Sequence, residues 1–405
     1  MTHTWLFTLY VFIILNTHHF YQSFKLKYAL RIGFLIGLIA LVRPPEIIAV
    51  FIPLLWGLNS ISIIVFKERI ALFKKNGKAM SGAIIIALGL LSLQFIYWKI
   101  ISGHWFVYTY QNQGFSWLSP HLKQYALNYQ SGWLLYTPVM FFAVFGLIFC
   151  FKRIPNKIAI IFLAIVNYYI VASWDAWDYG GRAMVQSYPI LLFPLASLIQ
   201  VILIGKWKKV VFVPLLLLCT YFNLWWTYQA HGGGLMGGVP ATGTYYWSTM
   251  FRYNLPLEYQ KLRDNTDEYM KPVKGAVLIY DGSLKNNVID SFLIEEKVCD
   301  SVSILKPIEK FRYIRASADF RADQKEWNVW FMTQFIIRLK KGNNIVHEST
   351  IRVQRLLNDN ETKNITTDIK TRGEDYDTIQ IFFKNDNAGT SKCHISNLKI
   401  FGFNH

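Results

Sequence analysis

The sequence predicts a polytopic α-helical membrane protein with about eight apolar segments, followed by an extracytoplasmic, mainly-β domain of the sandwich or jelly-roll type. Three observations predict this class. Of the 405 residues, 53% are hydrophobic, too many for one ordinary soluble domain. The apolar residues crowd into residues 1–228, whereas residues 253–405 have the composition of a soluble domain. Basic and aromatic connections alternate between the apolar runs, which is typical of repeated membrane crossing.

Eight apolar runs are candidates for membrane-crossing helices. A helix needs about 20 residues to cross a hydrocarbon core of roughly 30 Å, and several runs reach that length. One run is short and is expected to tilt or to form a hairpin with the next. The first run lacks a basic start and a small-residue cleavage site, so a retained helix is expected rather than a signal peptide. The runs cover residues 4–22, 29–42 (the short one), 46–65, 79–99, 132–151, 157–173, 188–204 and 209–228.

The net charge of +17 does not indicate a nucleic-acid partner, because the basic residues of the first half lie in clusters between apolar runs. The positive-inside rule places these clusters in the cytoplasm, and the aromatic connections and both termini outside. The sequence therefore predicts a multi-pass protein of the inner or plasma membrane. The clusters are Lys25/Lys27/Arg31, Lys67/Arg69/Lys74/Lys75/Lys78, Lys152/Arg153/Lys157 and Lys206/Lys208/Lys209.

Arg43 lies at a predicted outer corner, in the motif "RPPE" that ends at Glu46. Pro44 and Pro45 stop the preceding helix. The planar guanidinium suits phosphate oxygens, which makes Arg43 a candidate for binding a phosphate or pyrophosphate. The alternative is a helix hairpin whose arginine reaches the lipid headgroups. Glu46 is either part of the same site or simply the partner of Arg43.

The outer loop 102–138 combines many aromatic rings with the amides of Asn112 and Gln113. Aromatic faces beside amide groups suit a sugar ring, which is apolar on its faces and hydroxylated at its rim. The alternative is an aromatic belt at the membrane interface, which explains about half of the rings but not the amides.

The outer stretch 173–189 contains two acids, a base and a glycine pair. Asp175 and Asp178 would share a face on a helical turn, where they can bind a divalent cation or sugar hydroxyls. No cofactor is required by the sequence. Alternatively, one aspartate pairs with Arg182 and nothing binds. Gly180-Gly181 lets the backbone approach a ligand.

The last part of the chain is predicted to leave the membrane through a glycine-rich linker, residues 229–252. A short helix over 258–270 is expected to precede the strands. Alternating apolar runs separated by Asn, Asp and Gly predict a β-sandwich over 253–405. Cys299 and Cys393 can form a disulfide there if the domain is outside the cytoplasm.

Three stretches together resemble the bacterial GT-C superfamily of multi-pass glycosyltransferases, which use polyprenyl-phosphate sugars and are similar to dolichyl-phosphate-mannose–protein mannosyltransferases. The resemblance covers most of residues 30–196. It implies an inverting sugar transfer on the outer face of the membrane, with Arg43 as a contact of the donor phosphate. The stretches are "GFLIGLIALVRPPEII" (33–48), "NQGFSWLSPHL" with "YQSGWLLYTPVM" (112–140), and "YGGRAMVQSYPILLFPLA" (179–196).

One element of that family has no counterpart here. Its members carry a catalytic Asp or Glu in a large outer loop after the first helix, and only "RPPE" follows the first two runs of this chain. The chain therefore resembles the family without its N-terminal catalytic-loop region, and the catalytic residue stays unassigned.

The expected function is a hexosyltransferase, or an N-terminally truncated form of one, that acts on a polyprenyl-phosphate sugar and a glycan or lipid acceptor. Two alternatives stay open. One is a non-catalytic membrane scaffold with a carbohydrate-binding domain. The other is a transporter of lipid-linked glycans, which would need polar residues deep within the helices, and few are present.

Overall fold

The computed structural model describes most of the chain, and it divides the chain into two compact units, Met1–Tyr228 and Gln229–His405. The described residues are 2–58, 60–108, 113–175, 179–231, 234–236, 241–282, 292–293, 302–305, 310–322, 332–358, 360–384 and 393–404.

The named elements of the first unit are all helices, and one β-bridge joins Phe115 to Trp174. Three 3-10 segments, Pro44–Val50, Phe151–Arg153 and Tyr179–Ser187, connect its helices. The helices are α1 (Thr2–Ser23), α2 (Leu26–Val42), α3 (Phe51–Leu55), α4 (Ile63–Lys75), α5 (Gly77–Ser102), α6 (Leu122–Leu127), α7 (Trp133–Tyr136), α8 (Met140–Phe149), α9 (Lys157–Ser173), α10 (Tyr188–Ile204) and α11 (Lys206–Ala230), whose last residues begin the second unit.

Three helices among the described residues are long and apolar enough to cross a membrane: Gly77–Ser102, Gly180–Ile204 and Lys206–Ala230. Shorter apolar helices cover Pro44–Leu55, Met140–Phe149 and Lys157–Ser173. The chain thus has the character of a membrane protein, and the count of eight crossings remains a prediction.

Two predicted runs are not single helices. The run 46–65 breaks after Leu55, because Gly57 takes a positive φ of 74° and Ser62 starts a new helix by accepting a hydrogen bond from the Val65 amide at 3.3 Å. The run 132–151 breaks at Thr137, which is not helical and precedes a proline. Mean hydropathy does not register either break, because all the residues around them remain largely apolar.

Small residues set the distance between α2 and α5. A Cβ atom added to Gly33 would lie 2.2 Å from the Ala83 carbonyl oxygen, and one added to Gly37 would lie 2.9 Å from that of Ala87. The two backbones therefore approach to a distance that only glycine allows, as in helix pairs of membrane proteins.

The second unit contains two antiparallel sheets around a common core. One sheet has the order β1-β9-β4-β7, with β2 also paired to β9, and the other has the order β3-β8-β5-β6. The core includes the rings of Phe320, Phe335 and Phe383. The strands are β1 (Val277–Asp281), β2 (Phe292–Leu293), β3 (Val302–Leu305), β4 (Tyr313–Ala322), β5 (Gln334–Lys341), β6 (Asn344–Arg352), β7 (Thr362–Lys370), β8 (Thr378–Lys384) and β9 (Cys393–Phe403).

The predicted β region is confirmed, and its period-two pattern is visible in β4, where Ile314, Ala316, Ala318 and Phe320 are fully buried. The segment before it differs from the prediction. Only Leu257–Arg263 of the expected helix 258–270 is helical, and it is a 3-10 helix.

The segment 229–252, predicted to be a flexible linker, belongs to the second unit and contains a further helix, α12 (Gly243–Thr249). Tyr245 of α12 is fully buried. Its hydroxyl donates to the Leu235 carbonyl at 2.5 Å and accepts from Gln260 at 3.2 Å. The glycine-rich sequence is therefore folded back onto its own unit at these described positions.

Candidate functional site

The corner between α2 and the 3-10 segment Pro44–Val50 holds a buried carboxylate. Glu46 is 2% exposed, and its two oxygens accept hydrogen bonds from Tyr10 Oη and Gln186 Nε2, each at 2.8 Å. Arg43 Nε lies 3.9 Å from Glu46 Oε1. A buried carboxylate needs such partners, because moving an unpaired charge out of water is energetically costly.

The predicted pair of Glu46 with Arg43 is therefore one of several contacts that this carboxylate makes. Arg43 retains one donor, since its Nη1 is buried without a hydrogen-bond partner among the described residues. Its side chain is 26% exposed, so the guanidinium can be reached from outside the core. A buried donor without an acceptor favours an anionic ligand at this position.

His3 of α1 contacts the glutamine that binds Glu46. His3 Nδ1 is 3.0 Å from Gln186 Oε1. Arg182 is exposed. The convergence of Arg43 and Arg182 stays a prediction, and the polar contacts described here join α1 to the segment Tyr179–Ser187.

Gly180 and Gly181 form the turn that places Arg182, with positive φ values of 63° and 61°. A Cβ atom on Gly181 would lie 2.5 Å from the Trp133 Cβ atom. The close backbone approach predicted for a ligand is therefore an approach to a side chain of the protein itself. The glycine pair fixes the turn, and its approach to a ligand stays a prediction.

Asp175 lies outside this set and is tied to the aromatic loop. Its Oδ1 accepts a hydrogen bond from Ser116 Oγ at 2.7 Å and lies 3.3 Å from His121 Nε2. The helical turn predicted to carry Asp175 is not formed at Trp174, which is extended and pairs with Phe115 as a β-bridge. Asp175 Oδ2 has no partner among the described residues, so half of the carboxylate stays available.

Stacked rings flank Ser116 and Asp175 in the chain. Phe115 and Trp117 lie parallel with centroids 4.7 Å apart, and Trp174 packs edge-on against Phe115 at 4.8 Å. Trp117 is 46% exposed and leaves part of its ring open. An exposed indole in the loop that contacts this carboxylate is a surface that suits a sugar, and sugar binding by this loop stays a prediction.

Two predicted site residues, Asn112 and Asp178, lie outside the described residues. Gln113 is exposed, and its carbonyl oxygen accepts from Tyr108 Oη at 2.5 Å. A cation site between Asp175 and Asp178 remains a prediction. No group of three or more His, Cys, Asp or Glu side chains able to hold a metal occurs within the part of the chain that the structure covers.

Sequence reasoning missed Tyr10, Gln186 and Ser116 as contributors. Tyr10 and Gln186 lie 36 and 140 residues from Glu46 along the chain, so no spacing pattern connects them. One signal was available in the sequence: a glutamine and a glutamate lie in otherwise apolar surroundings. Because buried polar groups need hydrogen-bond partners, such residues are candidates to contact each other.

The second unit contains an open cavity of about 310 Å³. Phe311 and Tyr376 form its apolar lining, and Glu374 Oε2 is buried without a hydrogen-bond partner among the described residues. The residues around it are Lys310, Phe311, Arg312, Thr371, Gly373, Glu374, Tyr376 and Asn404.

The second unit also buries a charged cluster near the end of β7 and in the segment before β1. Glu268 Oε1 accepts from Thr367 Oγ1 at 2.8 Å, and both oxygens of Asp368 bind Arg315 at 2.7 Å. Burial, and next the charge of Asp368, raise the pKa of Glu268 to about 7. Burial alone would raise the pKa of Asp267, but hydrogen bonds from Arg372 and His347 lower it on balance.

The acids of this cluster are compensated within the fold, although Arg355 Nη1 and Nη2, like Arg43 Nη1, are buried without a hydrogen-bond partner among the described residues. Asp264, 3% exposed, pairs with Arg352 and with Arg355, the latter at 2.8 Å. Every acid in the cluster has a cationic or hydrogen-bonding partner of its own, so the cluster stabilises the β unit and is not a candidate active site.

Comparison with known proteins identifies no family. No protein-family model matches the chain, and no curated protein matches it. A solved structure titled "Family 16 Carbohydrate Binding Module-2" is similar at 10% identity, over 27% of this chain and 73% of that chain, with a TM-score of 0.21. A TM-score this low supports no inference about fold or ligand.

Proposed function

We propose that the chain is a membrane glycosyltransferase that transfers a sugar from a polyprenyl-phosphate donor to an extracytoplasmic acceptor, such as a cell-envelope glycan or lipid. The observation that carries the proposal is the unpaired, buried Nη1 of Arg43 beside a buried carboxylate. A lipid phosphate supplies the missing acceptor, and its polyprenyl tail stays in the bilayer.

The roles follow from the contacts. Arg43 binds the donor phosphate, and Arg182 adds a second positive charge. In the transfer, the acceptor oxygen forms a bond to the sugar C1, the bond from C1 to the phosphate oxygen breaks, and the acceptor proton is released. The phosphate leaves with the bonding electron pair, and its charge is stabilised by the two arginines.

Asp175 orients the sugar through its hydroxyls, because a carboxylate oxygen accepts hydrogen bonds from them. Trp117 offers a ring on which the apolar face of the sugar can stack. Support for this role comes from the vacant Asp175 Oδ2 and from the 46% exposure of Trp117.

The test is binding of undecaprenyl phosphate to the purified chain in detergent, with the phosphate-free alcohol as the second probe. Arg43→Ala is expected to weaken binding of the phosphate about 10- to 100-fold, the range for losing a charge-assisted hydrogen bond. Arg43→Lys should restore part of it. Arg31→Ala is the matched control, since Arg31 is exposed on the same helix and contacts Tyr28.

Equal binding of phosphate and alcohol, or an unchanged affinity in Arg43→Ala, would refute the phosphate site. Transfer of radiolabelled sugar from the lipid to a membrane extract then tests the reaction itself. The proposal also places the C-terminus outside the cytoplasm of a cell with this protein in its plasma membrane. A reporter enzyme that is active only outside, fused after His405, should be active.

A second candidate is a non-catalytic scaffold whose β unit binds carbohydrate. The open cavity between Phe311 and Tyr376, with Glu374 Oε2 unpaired among the described residues, favours it. Glycan binding that is lost in Glu374→Ala but unchanged in Arg43→Ala, with no sugar transfer by the unsubstituted chain, would support the scaffold over the transferase.

A further inference from the structure

Helix α4 contributes no buried side chain to the first unit. Its 13 residues, Ile63–Lys75, include none that is buried. Three isoleucines, Ile63, Ile64 and Ile70, are 74%, 66% and 52% exposed. Apolar side chains exposed together on one short helix indicate a surface that is covered in the native environment.

Contacts on one side of α4 fix its place. Arg69 donates to the Trp56 carbonyl, and its guanidinium lies 4.6 Å from the centroid of the Tyr21 ring. At its C-terminal end, Asn76 alone separates α4 from α5, whose range Gly77–Ser102 is long and apolar enough to cross a membrane. Helix α4 therefore lies at the level where a membrane-crossing helix meets the membrane surface.

The exposed side of α4 joins an apolar row to a basic row. Ile63, Phe66 and Ile70 follow the i, i+3, i+7 spacing of one helical face. Lys67 and Lys74, both exposed, continue that face at its edge. Lys75 and Lys78 add further positive charge, and Glu68 is the acid within the helix. Apolar side chains bordered by lysines are typical of helices that lie in the membrane interface.

We propose that α4 is an interfacial helix that binds anionic phospholipid, with Ile63, Phe66 and Ile70 among the acyl chains and its lysines against the phosphates. The charge of the helix matches anionic headgroups, and its connection to α5 already brings it to the bilayer surface. The site is independent of the proposed sugar transfer. Under this proposal, the end of the predicted run 46–65 lies along the membrane surface and does not cross the membrane.

The experiment measures depth and lipid preference in nanodiscs that contain the full chain. Ile70→Cys carries a fluorophore on α4, and Leu88→Cys, 59% exposed, carries it on α5 as the reference for a crossing helix. Brominated phospholipids quench the fluorophore, with bromine placed either near the headgroup or near the chain end. The unsubstituted chain, labelled in parallel, gives the background from its own cysteines.

At position 70 we expect stronger quenching by shallow bromines, and at position 88 by deep ones. Brominated phosphatidylglycerol should quench position 70 several-fold more than brominated phosphatidylcholine, since each lysine near an anionic surface enriches such lipids. The combined variant Lys67→Gln/Lys74→Gln/Lys75→Gln should abolish this preference. Lys271→Gln/Lys274→Gln/Lys310→Gln, at exposed positions of the second unit, should preserve it.

Three results would overturn the proposal. Deep quenching at position 70 equal to that at position 88 would show a crossing helix. Absence of quenching by any brominated lipid would show that α4 faces water or another protein. Equal quenching by the two lipid classes in the chain without lysine substitutions would show that the lysines do not select anionic headgroups.

Discussion

The two units bury charge in different ways. In the first unit, among its described residues, Glu46 is the buried acid, and two of its partners, Tyr10 and Gln186, are neutral. In the second unit, buried or nearly buried acids lie among cations, as Asp368 does beside Arg315. The difference teaches that a dense set of charges is not by itself a sign of function. The partners of the buried acids, cationic in one unit and largely neutral in the other, are what differ.

The largest expected effect tests whether the buried acids of the second unit stabilise that unit. Asp368→Ala removes two of the three hydrogen bonds that Arg315 donates and should lower the free energy of unfolding of residues 229–405 by about 3–5 kcal/mol. Urea denaturation followed by circular dichroism measures this. Asp375→Ala, at a 64% exposed ion pair with Lys341, is the control and should leave the unfolding midpoint unchanged. Similar midpoints for both variants would contradict the stabilising role.

The boundary between the units gives a second test of similar size. A fragment that begins at 253 loses α12 and the buried ring of Tyr245, so it should be less stable than a fragment that begins at 229. Tyr245→Ala in the longer fragment should cost about 3–5 kcal/mol, as for other buried aromatic residues. Trp247→Ala is the control, because Trp247 is 58% exposed. Equal stability of the two fragments would return 229–252 to the role of a linker.

The protonation of Glu268 makes the stability of the second unit depend on pH. Its pKa is about 7 in the folded protein, against 4.5 ordinarily, so the folded state holds the proton more tightly than the unfolded state. The resulting stabilisation is fully present below pH 4.5 and is lost as the pH rises to about 7. The loss is about 3 kcal/mol by the size of the shift.

Glu268→Gln keeps the oxygen that accepts from Thr367 and removes the titration, so stability should become nearly flat between these two pH values. Denaturation of the 229–405 fragment at several pH values measures both slopes. A slope in Glu268→Gln equal to that of the unsubstituted fragment would assign the titration to another group.

The smallest expected effect belongs to the first unit. Tyr10→Phe removes one hydrogen bond to Glu46 and should destabilise the chain by about 1.5–3 kcal/mol, the range for a charged acceptor. The melting temperature in detergent measures it, with Tyr97→Phe as control, since Tyr97 is 57% exposed. Affinity for undecaprenyl phosphate should fall much less than in Arg43→Ala. A larger loss of affinity would make Tyr10 a direct ligand contact.

Much of the fold follows from local patterns. Alternation along segments such as β4 depends on neighbouring residues and is visible in sequence, so the β region was predictable. The breaks at Gly57 and Thr137 were not, because one or two residues end a helix without changing the mean hydropathy of the run.

The candidate site was predictable only where its residues are close in the chain. Arg43 and Glu46 are three residues apart and belong to one motif, whereas Gln186 reaches Glu46 from another helix. The place of Asp175 was missed for the same reason, since Ser116 lies 59 residues away. Long-range partners depend on the packing of helices, which hydropathy and spacing do not determine.

The glycine contacts between α2 and α5 have a consequence for substitution tolerance. Among the described residues of α5, Ala79 is the buried one, yet the backbones of α2 and α5 approach to distances that a methyl group at Gly33 would prevent. The specific packing of α2 against α5 thus depends on glycines of α2, which have no side chain. Outward positions such as Ile84 and Leu88 can accept almost any apolar residue, while Gly33 should accept no other. A mutational scan of this helix pair would show constraint concentrated at its smallest residues.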